Sequence, residues 1–215
     1  MHQVVSDELD DNMPIAVLSG PTFAKEVAQG LPTAITLASS SEQHAQKIIS
    51  SLHSVCFRVY QSRDVIGVEL GGSIKNVLAI ATGISDGLGF SANTRAALIT
   101  RGLNEMLQIG LAEGGEQKTF MGLAGLGDLV LTCTDNQSRN RRFGLALAQG
   151  IHPEEAIKQI GQAVEGYQTT REIYHLSRKH QLNVPIIEQI NLVLHEGMSP
   201  QQAVENLLSR APRPE

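Results

Sequence analysis

The chain has 215 residues, 41% of them hydrophobic and 18% charged, no tryptophan and a formal net charge of −5 at pH 7. That composition excludes a disordered or fibrous chain, and the acidic balance excludes an electrostatic nucleic-acid binder, because neutralising phosphates needs a basic surface. The one basic knot, Arg139-Asn140-Arg141-Arg142, is too short to reverse it.

Met1 to Asp11 carries Asp7, Glu8, Asp10 and Asp11 where a signal peptide would need a basic end and an apolar run. No later segment reads as reaching transmembrane length, so no stable membrane insertion is expected. Cys56 and Cys133 form no CxxC pair, and the seven histidines lack metal-ligand spacing. A reducing cytoplasm is therefore expected, with no disulfide framework and no metal.

The first sixty residues have a βαβ-like rhythm, with strand-like runs at Ile15–Leu18, Thr33–Leu37 and Phe57–Tyr60. Between the last two runs, Ser41 can cap a helix whose apolar positions Ala45, Ile48, Ile49 and Leu52 share a face. Three strands make only the edge of a doubly wound sheet, which leaves apolar surface to be covered. Near Ile66 the pattern changes to long helices. Ile74, Val77, Leu78 and Ala81 mark one buried stripe, and Ala97, Leu98, Met106, Leu107 and Leu111 a second. Asp128–Thr134 is ambiguous between strand and helix. His152-Pro153 sets a proline at a first helical position, Thr169 with Glu172 and Ser199 with Gln202 have capping-box spacing, and Gly197 can close the helix begun near Pro185. The fold class is thus an α/β remnant followed by a mostly α part, with residues 1–62 forming the first and 63–215 the second.

Five segments are weighed for candidate chemistry. Lys75 lies in Gly71-Gly72-Ser73-Ile74-Lys75-Asn76, where small residues permit close approach. A solvated surface lysine fits that spacing as well as a desolvated one exchanging a proton with a substrate hydroxyl. Gly87-Leu88-Gly89-Phe90-Ser91-Ala92 matches a dinucleotide fingerprint variant but follows helical rather than strand spacing, so it reads as a turn between helices. In Gly122–Asp128 the glycines can bring Asp128 near a ligand. Asn136–Arg142 precedes an apolar helical run; an anion site at a helix amino end and a plain cap followed by exposed arginines both fit. Gly20-Pro21-Thr22-Phe23-Ala24 follows a strand, the favoured ligand position in open α/β sheets, and a simple strand-to-helix turn fits it too.

Taken together, LSGPTFAKE (Leu18–Glu26), GLPTAI (Gly30–Ile35), GVELGGSIKN (Gly67–Asn76), ALITRGLNEM (Ala97–Met106), GLAGLGDLVLTCTDNQSRNRRFG (Gly122–Gly144) and VEGYQT (Val164–Thr169) resemble the bacterial-type NAD(P)-dependent glycerol-3-phosphate dehydrogenases. The resemblance runs through nearly all of the chain from Ile15. It implies a Rossmann domain followed by an all-α domain with the site between them, and reversible reduction of dihydroxyacetone phosphate to sn-glycerol 3-phosphate for phospholipid synthesis. It further implies that Lys75 is the proton-transfer lysine and also binds substrate, with Asp128 positioning it or a substrate hydroxyl. Gly20, Thr22, Ser138, Arg139 and Asn140 match substrate contacts. Ala24, Arg139, Ala163 and Glu165 match contacts to NAD or NADP, Ala163 standing where a larger aliphatic residue is common.

The family also begins with a strand and a G-x-G-x-x-G turn, and no segment before Ile15 matches either; an upstream substrate-binding lysine is likewise unmatched. Residues 1–62 are accordingly expected to be the end of a dinucleotide-binding domain and 63–215 the substrate-binding, catalytic one. A chain so truncated is expected to bind dinucleotide poorly and turn over little. Two alternatives are a related hydroxyacid dehydrogenase, against which the Ser138–Asn140 run speaks, and a non-catalytic binding or dimerisation module. The expected ligands are a phosphorylated three-carbon substrate and a nicotinamide dinucleotide, with a homodimer compatible.

Overall fold

A computed structural model describes residues 2–9 and 13–211. The acidic start contributes α1 (His2–Glu8), while Asp10 and Asp11 lie outside the described residues. Next come β1 (Ala16–Ser19), α2 (Ala24–Ala28), β2 (Thr33–Ser39), α3 (Glu42–Leu52) and β3 (Phe57–Ser62). The strands form one sheet in the order β1-β2-β3. Ser41 caps α3 by accepting from the His44 amide, and α3 packs Ala45, Ile48 and Ile49 against Ile35, Leu37 and Val59. β2, α3 and β3 are therefore the expected strand–helix–strand unit, with β2 and β3 parallel and Ile35 opposite Val59.

The βαβ-like rhythm does not extend to the first pair, for β1 runs antiparallel to β2 with Leu18 opposite Leu37. The five-residue α2 is too short to carry the chain back along the sheet, as a parallel crossover must, so β2 returns beside β1 in the opposite direction.

The remainder is helical: α4 (Val65–Gly87), α5 (Ala92–Ala112), α6 (Gln117–Phe120), a π-helical turn (Leu123–Gly127), α7 (Asp128–Thr134), α8 (Arg139–Ala148), α9 (Pro153–Ile160), α10 (Glu165–Lys179), α11 (Pro185–His195) and α12 (Pro200–Leu208). The small strand set followed by a mostly helical chain is the expected fold class, and Asp128–Thr134 is helical. Among the described residues, α4 is long and apolar enough to cross a membrane, contrary to the expectation from hydropathy along the chain; 56% of its most apolar stretch is buried within the protein, which marks it as a core helix. Its stripe is as expected, with Ile74, Val77, Leu78 and Ala81 all buried.

The stripe expected on α5 is displaced. Ala97 and Leu111 are exposed, and the buried face runs through Gly102, Met106, Ile109 and Gly110. Glycines line this face because bulk comes from elsewhere: a Cβ on Gly102 would lie 2.7 Å from a Leu78 methyl, and one on Gly110 2.0 Å from the Phe120 ring. The expected cap at Thr169 is also displaced, since α10 begins at Glu165 with Val164 as its N-cap. Ser199 does cap α12, accepting from the Gln202 amide, and Pro153 opens α9.

By compactness the chain forms two units, residues 1–75 with 106–131, and residues 76–105 with 132–215. In the first, the sheet carries α3 on one face, and a second cluster joins Ala38, Val68 and Ala124. In the second, α8 and α4 meet backbone to backbone: a Cβ on Gly83 would fall 2.2 Å from the Arg141 carbonyl oxygen, and one on Gly144 2.2 Å from that of Ile80. Nearby, Asp86 takes the buried Arg141 guanidinium at 2.5 Å and Arg95 at 2.6 Å. Elsewhere in this unit α11 has only Val184 as its own N-cap, and its amides at Ile186 and Ile187 donate instead to the two oxygens of Glu105 on α5, at 2.8 and 3.0 Å.

Two tests follow from this packing. Burial raises the Glu105 pKa from 4.5 to about 7, against the lowering effect of its two backbone bonds. A folded pKa above the unfolded one means that the native state holds the proton more tightly. Stability should therefore be greatest below about pH 4.5 and decline by at most about 3 kcal/mol as pH rises to 7; thermal melts from pH 4.5 to 8 should show that decline, with a flatter slope for Glu105→Gln. Gly144→Ala should cost about 1–3 kcal/mol by overpacking, seen as a Tm lowered by several degrees, and an unchanged Tm would mean that the α4–α8 contact is looser than described.

Candidate functional site

The sequence-derived candidates fall into two clusters, one in each unit. The first is built on α4. Gly71 lies one turn before Lys75 on the same face, and a Cβ at Gly71 would sit 2.5 Å from the Ala124 carbonyl oxygen. Its absence lets α4 rest on the π-helical turn, where the Gly127 amide donates five residues back to Gly122 at 3.0 Å. Asp128 stands one turn beyond Ala124, at the start of α7, so the two close-packed elements bring Lys75 Nζ and the Asp128 carboxylate into direct hydrogen-bonded ion-pair contact. Asp128 is almost fully buried, whereas the Lys75 side chain keeps 20% of its surface exposed. A lysine anchored on a buried carboxylate, with part of its side chain exposed, can be aimed at a ligand without wandering among rotamers. π-helical turns of this kind recur at functional sites.

The other candidates of this unit lie at the end of β1. Gly20 is buried with φ of 153°, and a Cβ there would come within 3.1 Å of the Ile35 backbone. The Thr22 hydroxyl donates to the Gly20 carbonyl at 3.0 Å, while Ala24 opens α2 with its methyl exposed. Gly72 of α4 approaches this strand, its missing Cβ leaving room for the Ser19 hydroxyl 2.8 Å away. The strand end is thus a tight turn facing the glycine pair of α4, in the unit that holds Lys75.

The second cluster is the amino end of α8. Ser138 is its N-cap, buried, with its hydroxyl oxygen accepting from the Arg141 amide at 3.2 Å. Arg139 is partly exposed and meets Glu165 of α10 at 2.8 Å. Asn140 is 3% exposed, and its amide is held at both ends: Nδ2 donates to Asn76 Oδ1 at 2.9 Å and Oδ1 accepts from the Gly166 amide at 2.9 Å. Ala163 is exposed in the turn before α10. Of the two readings left open for this segment, the cap is real, but the arginines differ from one another: Arg141 is buried and neutralised by Asp86, Arg142 is exposed, and Arg139 alone pairs with another candidate. Within the Gly87–Ala92 stretch, residues 88–91 are the turn between α4 and α5, with Gly89 at φ of 88°.

The sequence reading missed Asn76, Gly166 and Asp86. A signal for Asn76 existed, since it is an amide between the buried Ile74 and Val77 of a core helix, where a polar side chain needs a partner. Nothing local marked Gly166 or Asp86. Among the described residues no group of three or more His, Cys, Asp and Glu side chains is arranged to hold a metal ion.

Residues 64–205 match the model of the NAD-dependent glycerol-3-phosphate dehydrogenase C-terminus, and residues 1–45 match that of the N-terminus. The glycerol-3-phosphate dehydrogenase [NAD(P)+] of Coxiella burnetii is 56% identical over 215 residues, all of this chain and 64% of that protein. That of Colwellia psychrerythraea is 57% identical over 211 residues, 98% of this chain and 63% of the relative. A crystal structure of the Coxiella burnetii glycerol-3-phosphate dehydrogenase superimposes with a TM-score of 0.94 at 57% identity, over 97% of this chain and 64% of that one. The chain therefore spans somewhat under two thirds of the length of these curated relatives, and it belongs to the NAD-dependent glycerol-3-phosphate dehydrogenase family.

Proposed function

We propose that the chain carries the substrate-binding and proton-transfer machinery of a glycerol-3-phosphate dehydrogenase, which interconverts dihydroxyacetone phosphate and sn-glycerol 3-phosphate for phospholipid synthesis. The observation that supports this most is the Lys75–Asp128 pair, a partly exposed lysine on a buried carboxylate, in a chain of this family. Residues 1–62 act in this reading as the end of the dinucleotide-binding domain, and 63–215 as the catalytic one. A reducing cytoplasm suits the free thiols Cys56 and Cys133.

In the direction of reduction, the Lys75 ammonium donates a proton to the C2 carbonyl oxygen of dihydroxyacetone phosphate, and in the reverse direction the neutral amine takes it back from the C2 hydroxyl. Asp128 keeps Nζ oriented and balances its charge while the proton moves. The amino end of α8 suits a phosphate by its own chemistry, for the Ser138 hydroxyl, the Arg139 guanidinium and the Asn140 amide stand there with the helix dipole. Gly20 and Thr22 contribute at the strand end. The donor set fits a dinucleotide: Arg139 suits a phosphate and Glu165 a ribose hydroxyl, with Ala24 and Ala163 as small exposed surfaces for close approach. When bound, that group supplies the hydride for C2.

The test uses the chain joined to the part of the Coxiella burnetii relative that it does not match, assayed for NAD(P)H oxidation with dihydroxyacetone phosphate. Steady turnover is expected, and Lys75→Ala should lower kcat by roughly 10²–10⁴-fold. Asp128→Asn should lower it by less, and the double variant should be no slower than Lys75→Ala alone, because the two act as one unit. Wild-type turnover by Lys75→Ala would remove Lys75 from proton transfer.

A further inference from the structure

β1 ends on Ser19, one residue before Gly20, and among the described residues the half-buried Ser19 hydroxyl has no hydrogen-bond partner. The hydroxyls of Thr22, Ser39 and Ser73, in the same unit, each donate to a backbone carbonyl. What Ser19 faces is the main chain of α4. A Cβ on Gly72 would lie 2.8 Å from Ser19 Oγ and 3.6 Å from Ser19 Cβ, so the hydroxyl occupies space that any side chain at position 72 would take.

That space lies beside Lys75. With about 100° of turn per residue, Lys75 projects about 40° from Gly71 and about 60° from Gly72, hence between the two. A helical side chain also leans back over the turn before its own, so the lysine runs over both glycines. On the Gly71 side stands the π-helical turn that leads into Asp128, whose carboxylate holds Nζ. On the Gly72 side stands Ser19. An oxygen brought to Nζ therefore has a carboxylate on one flank, which repels negative charge, and a hydroxyl on the other, which can hold it.

We propose that Ser19 is a further catalytic residue, whose hydroxyl hydrogen-bonds the C2 oxygen of the substrate from the side opposite Asp128. The proposal rests on the reading of Lys75 given above. The residue type suits both directions of the reaction, because a hydroxyl donates to the ketone oxygen of dihydroxyacetone phosphate and can accept from the C2 hydroxyl of sn-glycerol 3-phosphate, whereas an ammonium only donates. During reduction the Ser19 O–H is a second donor to the C2 oxygen as negative charge develops there. The transferred proton comes from Lys75, and Ser19 keeps its own.

The experiment is calorimetric titration of the 215-residue chain with sn-glycerol 3-phosphate and with 3-hydroxypropyl phosphate, which lacks the C2 hydroxyl. Ser19→Ala is expected to weaken binding of the first about tenfold and to leave binding of the second within about twofold of wild type. Gly72→Ala keeps the hydroxyl but turns it aside, and the same selective loss is expected. Should Ser19→Ala fail to fold, Ser19→Cys fills the same space with only a weak donor and takes its place. An unchanged ratio of the two affinities in the Ser19 variant, whether both hold or both fall together, would overturn the proposal while leaving Lys75 in its role; so would a Gly72→Ala chain that discriminates as wild type does. No binding of sn-glycerol 3-phosphate by the unmutated chain would sink the site reading, and this proposal with it.

Discussion

Backbone contact along α4 is the constraint from which both candidate clusters derive. A helix can bring its main chain within van der Waals reach of another element only where side chains are absent, and α4 does so at Gly71 in the first unit and Gly83 in the second. The first contact carries Lys75 to Asp128, one turn on from each partner; the second carries Asn76 toward Asn140 along the seam shared with α8. Candidate side chains of ordinary length therefore meet at fixed positions on rigid helices, where longer separations would demand flexible reach and its entropy.

Charge and hydrogen bonding follow the same economy. The amino ends of α10 and α11 begin after valines that cannot cap, and their amides are satisfied across space by Asn140 and Glu105. These bonds serve twice, since each removes orphan donors at a helix start and ties two helices into one packing arrangement. Their chemistry differs, for a neutral amide can be buried without a titration, whereas the carboxylate of Glu105 has its pKa raised by burial and makes its helix junction responsive to pH. Arg141 is held by the same logic: its neutralisation by Asp86 leaves Arg139 as the arginine of the run that meets the α10 candidates.

The elements that were legible in advance are those whose causes are local. Ser41 and Ser199 cap the helices they precede, Pro153 starts α9, and the apolar stripe of α4 is buried as its spacing requires. Failures share a single cause, which is that the decisive partner lies far along the chain. On α5 the buried face contains glycines because Leu78 and Phe120 fill the space, so a count of apolar side chains pointed to the wrong residues. Thr169 has the residue type and spacing of a cap, while α10 begins after Val164 and its Gly166 amide is satisfied by Asn140 of α8. The antiparallel β1–β2 pairing depends on how far a five-residue helix can carry the chain, which composition does not express.

By itself the sequence determined the balance of a small strand set and a long helical part, the family through six ordered motifs, and the residue types able to move a proton or hold a phosphate. Those depend on side-chain chemistry and near-neighbour periodicity, which are written in the order of residues. Tertiary structure alone decided that Lys75 faces Asp128, that Arg141 is spent on Asp86, and that Asn76, Asn140 and Gly166 form one line of bonds. Each of these pairs is separated by some 26 to 64 residues, and such distances close only when glycine-lined helix faces pack and a buried polar group must find a partner or be left unsatisfied.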